Sequence, residues 1–305
     1  MSTVAHPLTG TRRPQAQPVP TVPTRTEYHP RRHVVVHVAI LLICLLWMIP
    51  TLGLLVASFR PPAMFFTSGW WEAFTTPSAF TLENYHRVLT ANNMGQSFVN
   101  SLFVTIPATV LPILIAAYAA YAFAWMEFPG RQWLFLAVVG LLVVPLQLTL
   151  IPVLRLFTAV GLTGTFLGIW LAHAAYGLPL AIYLLRNFIG ALPRDLFEAA
   201  AVDGASPLTV FFRLVLPLSL PAIASLAIFQ FMWVWNDLLI ALVLLGGQPA
   251  VAPMPVTISN LVNSLGLDWQ LLTAAAFISM ALPLVIFFAL QRYFVRGILA
   301  GSVKG

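Results

Sequence analysis

The chain of 305 residues is 60% hydrophobic and only 8% charged, with a mean hydropathy of +0.90. Soluble domains carry roughly 25% charged residues, so this composition excludes a water-soluble domain and indicates a membrane protein. The net charge of +6 does not require a nucleic-acid partner, because the placement of the basic residues has another cause, given below. The one cysteine, Cys44, lies in an apolar run, which excludes an intrachain disulfide and a cysteine-based metal site.

Residues 1–32 differ in kind from the rest of the chain. They are rich in proline and carry five arginines, a composition typical of a disordered tail. The first apolar run is too long and begins too late for a cleaved signal peptide. We therefore predict a disordered cytoplasmic tail.

Residues 33–296 predict an all-α integral membrane domain, a bundle of about six transmembrane helices. Runs of about 20 apolar residues can each cross a bilayer, and their unbroken apolar character excludes the alternating strands of a transmembrane barrel. Prolines inside such helices are tolerated where neighbouring groups satisfy the freed carbonyls. The predicted spans are Val34–Ser58, Ser101–Met126, Trp133–Leu154, Phe166–Leu185, Leu218–Leu245 and Leu271–Tyr293.

The basic residues predict the orientation. With the N-terminus inside, the cytoplasmic segments hold twelve of the fifteen basic residues, and only Arg60, Arg87 and Arg155 fall outside. Because lysine and arginine concentrate on the cytoplasmic side of membrane proteins, we expect both termini in the cytoplasm. The segment 186–217, between spans four and five, is then cytoplasmic.

Segment 186–217 predicts a short helix, a glycine elbow and a second helix that leads into span five. Pro193 suits the first turn of the first helix, and Gly204 is placed to end it in a left-handed conformation. Ser206 caps the second helix, with Pro207 at its first position. An amphipathic helix lying on the bilayer is the alternative. The acidic residues would be repelled by an anionic leaflet, so we favour docking to a protein.

The spacing of this segment resembles the signature loop of bacterial ABC importer permeases. Leu214 stands where isoleucine is usual, a mild departure. The residues that match the signature are Glu198, Ala199, Ala200, Gly204, Leu216 and Pro217.

Three further stretches look like the carbohydrate-uptake branch of that family, of the maltose or α-glucoside type. They are Thr81–Tyr85, Trp235-Asn236-Asp237 and the C-terminal segment from Gln291. The resemblance covers nearly everything from about residue 34 to the end of the chain.

The resemblance implies a subunit of a bacterial inner-membrane importer, with four kinds of partner. Two ATPase subunits would bind ATP and magnesium. A second, homologous permease subunit would complete the pore, an extracytoplasmic sugar-binding protein would deliver solute, and lipid would surround the bundle. The coupling loop, with Glu198, Ala199, Ala200, Asp203, Gly204 and Pro217, would dock on an ATPase. The tail 297–305 would reach the same subunits through Gly301 and Lys304.

The chain itself does not carry the ATPase signature. A phosphate-binding loop needs a lysine after its glycines, and the only lysine is Lys304, one residue from the end. No nucleophile–base arrangement or metal-ligand spacing stands out. We therefore predict a transport subunit that is not an enzyme and holds no cofactor of its own.

Four polar or aromatic residues of span five are candidates for the transport path. They are Gln230, Trp235, Asn236 and Asp237. An acid deep in an apolar span usually faces the bundle interior or a water-filled cavity. For Asp237 we favour the alternative, an interhelical hydrogen bond that fixes the bundle. His173 and Gln147 are interpreted the same way.

Two other functions remain open. A secondary carrier driven by an ion gradient places charged or unwound sites in two repeated halves, and no half-repeat is evident here. An importer of the same architecture could instead carry a non-sugar solute, such as glycerol phosphate, a polyamine or a peptide.

Overall fold

The computed structural model describes residues 30–76, 80–90, 93–263 and 268–302. The tail predicted for residues 1–32 lies outside this range except for its last three residues. The chain divides into two compact units, Met1–Ile49 and Pro50–Gly305. The first unit supplies the beginning of helix α1, whose apolar side chains from Val34 to Ile49 are largely exposed. The other helices belong to the second unit.

All regular secondary structure among the described residues is helical, which confirms the predicted all-α bundle. A 3₁₀ turn at Trp70–Phe74 lies between α2 and α3, and a π-helical turn at Phe211–Val215 joins α9 to α10. The helices are α1 Pro30–Ser58, α2 Pro62–Phe65, α3 Glu83–Thr90, α4 Met94–Trp125, α5 Arg131–Leu141, α6 Leu146–Ala159, α7 Phe166–Gly190, α8 Arg194–Val202, α9 Pro207–Val210, α10 Leu216–Trp235, α11 Leu239–Leu245, α12 Met254–Asn263 and α13 Trp269–Ser302.

Five stretches of continuous helix are long and apolar enough to cross a membrane, and a bent pair, α5 and α6, adds a sixth crossing when counted as one span. The predicted third span, Trp133–Leu154, is therefore not one straight helix. The axes of α5 and α6 differ by 101°, and Pro145 is the N-cap of α6 with an extended backbone. Proline at this point removes a main-chain N–H and clashes with the preceding turn, so the apolar run bends there.

Helices α4 and α7 run parallel to each other. The end of α4 at Trp125 contacts the end of α7 at Ile189, and Phe103 near the start of α4 contacts Trp170 near the start of α7. Two consecutive long helices can be parallel only if the chain between them returns to the starting end. The bent pair α5–α6 makes that return, which supports counting it as one crossing.

Small side chains line the contact between α4 and α7. Alanine and glycine let helix backbones approach closely, which is how helices associate where no hydrophobic effect drives them. Helix α10 runs antiparallel to both and packs against them, and α13 packs on α10. The small buried residues are Ala108, Ala116, Ala117 and Ala120 on α4, and Ala172, Ala174, Gly177 and Ala181 on α7.

The two ends of the bundle carry different structures. We call the end that holds α8 the loop end; Trp125, Ile189 and Phe211 lie there. The opposite end, with Phe98 and Trp235 in contact, is the distal end. Helix α13 starts at the distal end and runs toward the loop end for 34 residues.

Three carbonyls that a proline leaves without a helical donor accept a side-chain N–H from another helix in the described chain. A proline four residues later lacks the N–H that would complete the helical hydrogen bond. The pairs are Trp170 Nε1 to Phe103 O at 2.8 Å (before Pro107), Gln230 Nε2 to Ala108 O at 3.2 Å (before Pro112) and Trp235 Nε1 to Ser279 O at 3.1 Å (before Pro283). A similar bond runs from Trp125 Nε1 to the carbonyl of Ile189 at the end of α7, at 2.9 Å, and this carbonyl also accepts the main-chain N–H of Leu192.

These bonds help a bundle rich in proline to hold together. At Pro107, Pro112 and Pro283 the freed carbonyl accepts from a tryptophan or glutamine of a neighbouring helix, as the need to satisfy backbone groups inside a membrane requires. Helices are thereby joined at defined heights along their axes.

Candidate functional site

Helix α8, which contains the predicted coupling residues, lies on the surface of the loop end. None of its side chains, all of which are described, is fully buried. Phe197 and Ala200 are half-buried against the bundle, while Val202 is 88% exposed. Helical geometry separates the two faces, and the outward face carries Glu198, Ala199, Ala201, Val202 and Asp203.

Glu198 pairs with a residue of its own helix. Its Oε1 accepts a hydrogen bond from Arg194 Nε at 2.9 Å, and both side chains are mostly exposed to solvent. Exposed pairs four residues apart on a helix stabilise it by only about 0.3–0.5 kcal/mol. The carboxylate therefore remains available to a basic group on another protein.

The glycine elbow has the geometry that the sequence predicts. Gly204 has φ +68°, the left-handed region that ends helices, and the N–H of Ala205 closes the turn on the carbonyl of Ala200 at 3.0 Å. Ser206 caps the next helix, its Oγ accepting from the N–H of Thr209. Pro193 differs from the expectation by one position, since it is the N-cap of α8 and not its first residue.

The second helix of the loop continues into the fifth span without interruption. Helix α9, the π-helical turn and α10 form one run from Pro207 to Trp235. The N–H of Leu216 donates to the carbonyl of Phe211, five residues earlier. Pro217 follows at once, and a wider turn before it relieves the clash that its ring would make with the preceding turn.

Helix α8 is attached to the bundle by an aromatic stack. The rings of Phe197 and Trp125 lie 3.7 Å apart between centroids and 16° from parallel. Trp125 is the last residue of α4, and its Nε1 donates to the carbonyl of Ile189 near the end of α7. One side chain thus touches three helices. Neither Trp125 nor Phe197 is singled out by the sequence.

Gln230 lies in the interior of the bundle, at the contact of three helices. It is 7% exposed, and its Nε2 donates to Ala108 of α4. On its other side is Gly177 of α7, where an added Cβ would lie 2.6 Å from the same nitrogen. The sequence suggests a path residue here, and the geometry describes a polar contact that joins α4, α7 and α10.

Trp235 and Asn236 occupy the end of α10. Trp235 is 1% exposed and stacks on Phe231 with its ring 16° from parallel. Asn236 is exposed, and its Nδ2 donates to the carbonyl of Met232, one turn earlier. Both side chains complete the end of the helix, and their predicted part in the transport path stays a prediction.

Asp237 lies at a break in the helix, so the prediction of a single span Leu218–Leu245 is wrong. Helix α10 ends at Trp235 and α11 begins at Leu239. The two carboxylate oxygens of Asp237 accept from the N–H groups of Ile240 at 3.3 Å and Ala241 at 3.1 Å. An aspartate ahead of a helix satisfies N–H groups that have no helical acceptor, and this capping starts α11.

His173 of α7 pairs with Asp237. Its Nε2 lies 3.3 Å from Asp237 Oδ2, and the imidazole is fully buried. Its Nδ1 lies 3.0 Å from the carbonyl of Ile169, which can only accept. The ring and the carboxyl group are thus within ion-pairing distance, which places the middle of α7 beside the break after α10.

The C-terminal contact residues are only partly within the described chain. Gly301 belongs to the last turn of α13, which runs toward the loop end. Lys304 lies outside the described residues. Among the residues searched, no group of three or more His, Cys, Asp or Glu could hold a metal ion.

The described basic residues outside the first unit separate between the two ends of the bundle. Arg60 and Arg87 flank the start of α4, and Arg155 precedes α7, all at the distal end. The other described arginines lie at or toward the loop end: Arg131, Arg186, Arg194 and Arg213, and Arg292 and Arg296 on the C-terminal half of α13.

Comparison with known proteins identifies relatives over most of the chain. Residues 97–300 match the family model described as "Binding-protein-dependent transport system inner membrane component". The "Osmoprotective compounds uptake permease protein GgtD" of Synechocystis is 64% identical over 272 residues, 88% of this chain and 91% of that protein. The "Alpha-glucoside transport system permease protein AglG" of Rhizobium meliloti is 57% identical over 251 residues, 81% of this chain and 64% of that protein.

A more distant relative and a solved structure extend the comparison. The "Trehalose transport system permease protein SugB" of Mycobacterium tuberculosis is 33% identical over 260 residues, 85% of this chain and 93% of that protein. A chain in the crystal structure of a bacterial ABC transporter that imports alginate superimposes with a TM-score of 0.72 over 90% of this chain and all of that one, at 22% identity. That likeness shows the fold.

Proposed function

Because this chain belongs to the family of binding-protein-dependent transport inner membrane components, we propose that it is the permease subunit of an ATP-driven sugar importer. The observation that carries the proposal is helix α8, a short helix with a glycine elbow presented on the surface of one end of a membrane bundle. Its outward face, centred on Glu198, is the docking surface for a separate ATPase subunit.

The loop end is the cytoplasmic end in this proposal. Six described arginines lie at or toward this end and three at the distal end, the asymmetry expected when the loop end faces the cytoplasm. Helix α13 runs toward the same end, so its last turn, with Gly301, lies on the side of the ATPases. The distal end then faces the solute-binding protein that the family description implies.

The cargo is a sugar or oligosaccharide. The supporting observation is that relatives 57% and 33% identical to this chain are named for α-glucoside and trehalose transport. A second candidate is a small osmoprotective solute, favoured by the name of the 64% identical relative.

A second, homologous permease subunit completes the translocation path. Helix α5, whose side chains are all described, buries none of them, and Trp133 and Val143 are 77% and 81% exposed around the bend. This apolar surface suits lipid and a second membrane subunit. ATP and magnesium belong to the ATPase subunits.

The proposal is tested by co-purification and reconstitution. The chain, tagged and expressed with its neighbouring genes, should bring down a nucleotide-binding subunit, and proteoliposomes should take up an α-glucoside only with binding protein outside and ATP inside. Glu198→Arg should reduce uptake and ATPase binding. Glu127→Arg, an exposed acid on the turn after α4 at the same end, is the matched control and should leave both unchanged.

The alternatives predict different results. Uptake that persists without ATP and collapses with the proton gradient would overturn the proposal in favour of a secondary carrier. ATP-dependent uptake of an osmoprotective solute, with no competition by sugars, would overturn the proposed cargo. The proposal of an ATP-driven importer would stand.

A further inference from the structure

Trp125 is the side chain through which helix α8 is held against the membrane helices. Its ring is stacked on Phe197 at 3.7 Å between centroids, and its Nε1 donates to Ile189 at 2.9 Å. Phe197 is the largest inward-facing side chain of α8, and the other half-buried one is Ala200, whose methyl group offers little contact. The contact between α8 and the rest of the bundle is therefore made mainly by the ring of Phe197.

The sequence places this ring next to the docking surface. Phe197 immediately precedes Glu198, and consecutive residues of a helix point about 100° apart. A partner that moves Glu198 must move Phe197 with it, because one helical turn holds both. Two rings in van der Waals contact cannot be pressed closer, since protein interiors are packed as densely as organic crystals.

Trp125 is also the last residue of α4, a helix that runs from one end of the bundle to the other. Helix α4 is 32 residues long and packs against α7 and α10. At its other end, Asn100 Nδ2 donates to the carbonyls of Ala250 and Ala252, and Ser101 Oγ accepts from the N–H of Met254. A displacement applied at Trp125 is delivered along α4 to the segment before α12 at the distal end.

We propose that Trp125 is a positioning residue for transport, which carries the movement of α8 to α4 through its stack on Phe197. The inference rests on the proposed function and adds to it the side chains that couple the docking helix to the path. The bond from Trp125 Nε1 to Ile189 holds the ring in the orientation that the stack requires.

The two contacts of Trp125 can be removed separately. Phe197→Leu abolishes the stack and keeps the indole bond to Ile189. Trp125→Phe keeps an aromatic ring and loses the N–H. Phe197→Tyr keeps the stack and serves as the conservative rescue. Trp170→Phe is the matched control, since it also removes a bond from an indole to a main-chain carbonyl of another helix, at 2.8 Å, but at the distal end.

The measured quantity is the number of solute molecules taken up per ATP hydrolysed, in proteoliposomes that hold the whole complex with its binding protein. Phe197→Leu should lower this ratio about tenfold, within the range of coupling energies between sites, while basal ATP hydrolysis persists. Phe197→Tyr and Trp170→Phe should keep the wild-type ratio, and Trp125→Phe should lie between. The Tm of each complex shows whether it is assembled.

The outcomes separate the two levels of the proposal. An unchanged ratio in Phe197→Leu, or an equal loss in Trp170→Phe, would overturn the role of Trp125 and leave the importer intact. Failure of the wild-type complex to couple uptake to ATP at all would overturn the proposed function itself.

Discussion

The side chain of Gln230 donates to the main-chain carbonyl of Ala108 at 3.2 Å, the carbonyl that Pro112 deprives of its helical donor. The buried side chain of Gln230 on α10 thus supplies the N–H that Pro112 on α4 lacks. The sequence alone does not reveal this contact, since 122 positions separate donor and acceptor.

The first prediction tests this interaction through a pair of substitutions. Gln230→Met keeps the length of the side chain and leaves the carbonyl of Ala108 unsatisfied, so it should lower the free energy of unfolding by roughly 1–3 kcal/mol. Pro112→Ala restores a main-chain N–H that can reach Ala108. In that background Gln230→Met should cost less, which thermal unfolding of the two single variants and the double variant measures. Strictly additive losses would contradict the relationship.

A second prediction concerns the space beside Gln230. A Cβ added at Gly177 would lie 2.6 Å from Gln230 Nε2, whereas at Gly190 of the same helix the nearest atom is 3.9 Å away. Gly177→Ala should lower the free energy of unfolding by about 1–3 kcal/mol through overpacking. Gly190→Ala, the matched control, should leave it unchanged or raise it, because alanine favours helix. Equal Tm values for the two variants would show that α7 and α10 do not meet as described.

The third prediction addresses His173 and Asp237. Removing one partner of a buried pair leaves the other uncompensated, so Asp237→Ala should lower the free energy of unfolding by about 3 kcal/mol, also because α11 loses its cap. His173→Phe should be destabilising too, and the double variant should lose less than the sum. Asn236→Ala, next in sequence but exposed, is the control and should have little effect.

The same variants separate packing from the transport path. If Asp237 only packs, then Asp237→Asn should change the Tm and leave the apparent KM for the solute unchanged. A raised KM at an unchanged Tm would instead place Asp237 on the path.

A fourth prediction uses the elbow at Gly204. Its φ of +68° costs a residue with a Cβ about 1–2 kcal/mol, although a Cβ would meet no atom within 4 Å. Gly204→Asn, which tolerates the left-handed region, should keep uptake. Gly204→Pro, whose φ is fixed near −65°, should abolish coupled uptake. Gly161, at a turn of the distal end, has a similar φ of +73°. Gly161→Pro is therefore the matched variant, which tests whether the loss of any left-handed turn abolishes coupled uptake.

The sequence was sufficient for the features that depend on local chemistry. Apolar run length predicts the spans, the left-handed preference of glycine predicts the elbow at Gly204, and hydroxyl capping predicts the helix start at Ser206. Each is decided within a few residues, so a neighbouring helix has no part in it.

The features that the sequence does not reveal depend on residues distant along the chain. No proline or glycine lies at 236–238, and the break there comes from the carboxylate of Asp237, which caps α11 and pairs with His173. Trp125 and Phe197 look like ordinary aromatic residues until α4 and α8 are brought together. The bend at Pro145 is visible as a proline, but proline also lies within straight helices here, such as Pro112 in α4.

The side-chain bonds to main-chain carbonyls that join these helices have a consequence for motion. A main-chain hydrogen bond within a helix can be surrendered only by unwinding a turn, whereas an indole or amide N–H is released by rotating one side chain. Helices joined through Trp125, Trp170, Gln230 and Trp235 can therefore separate and rejoin while each remains intact. A bundle fastened in this way can exchange one arrangement of whole helices for another without melting any of them.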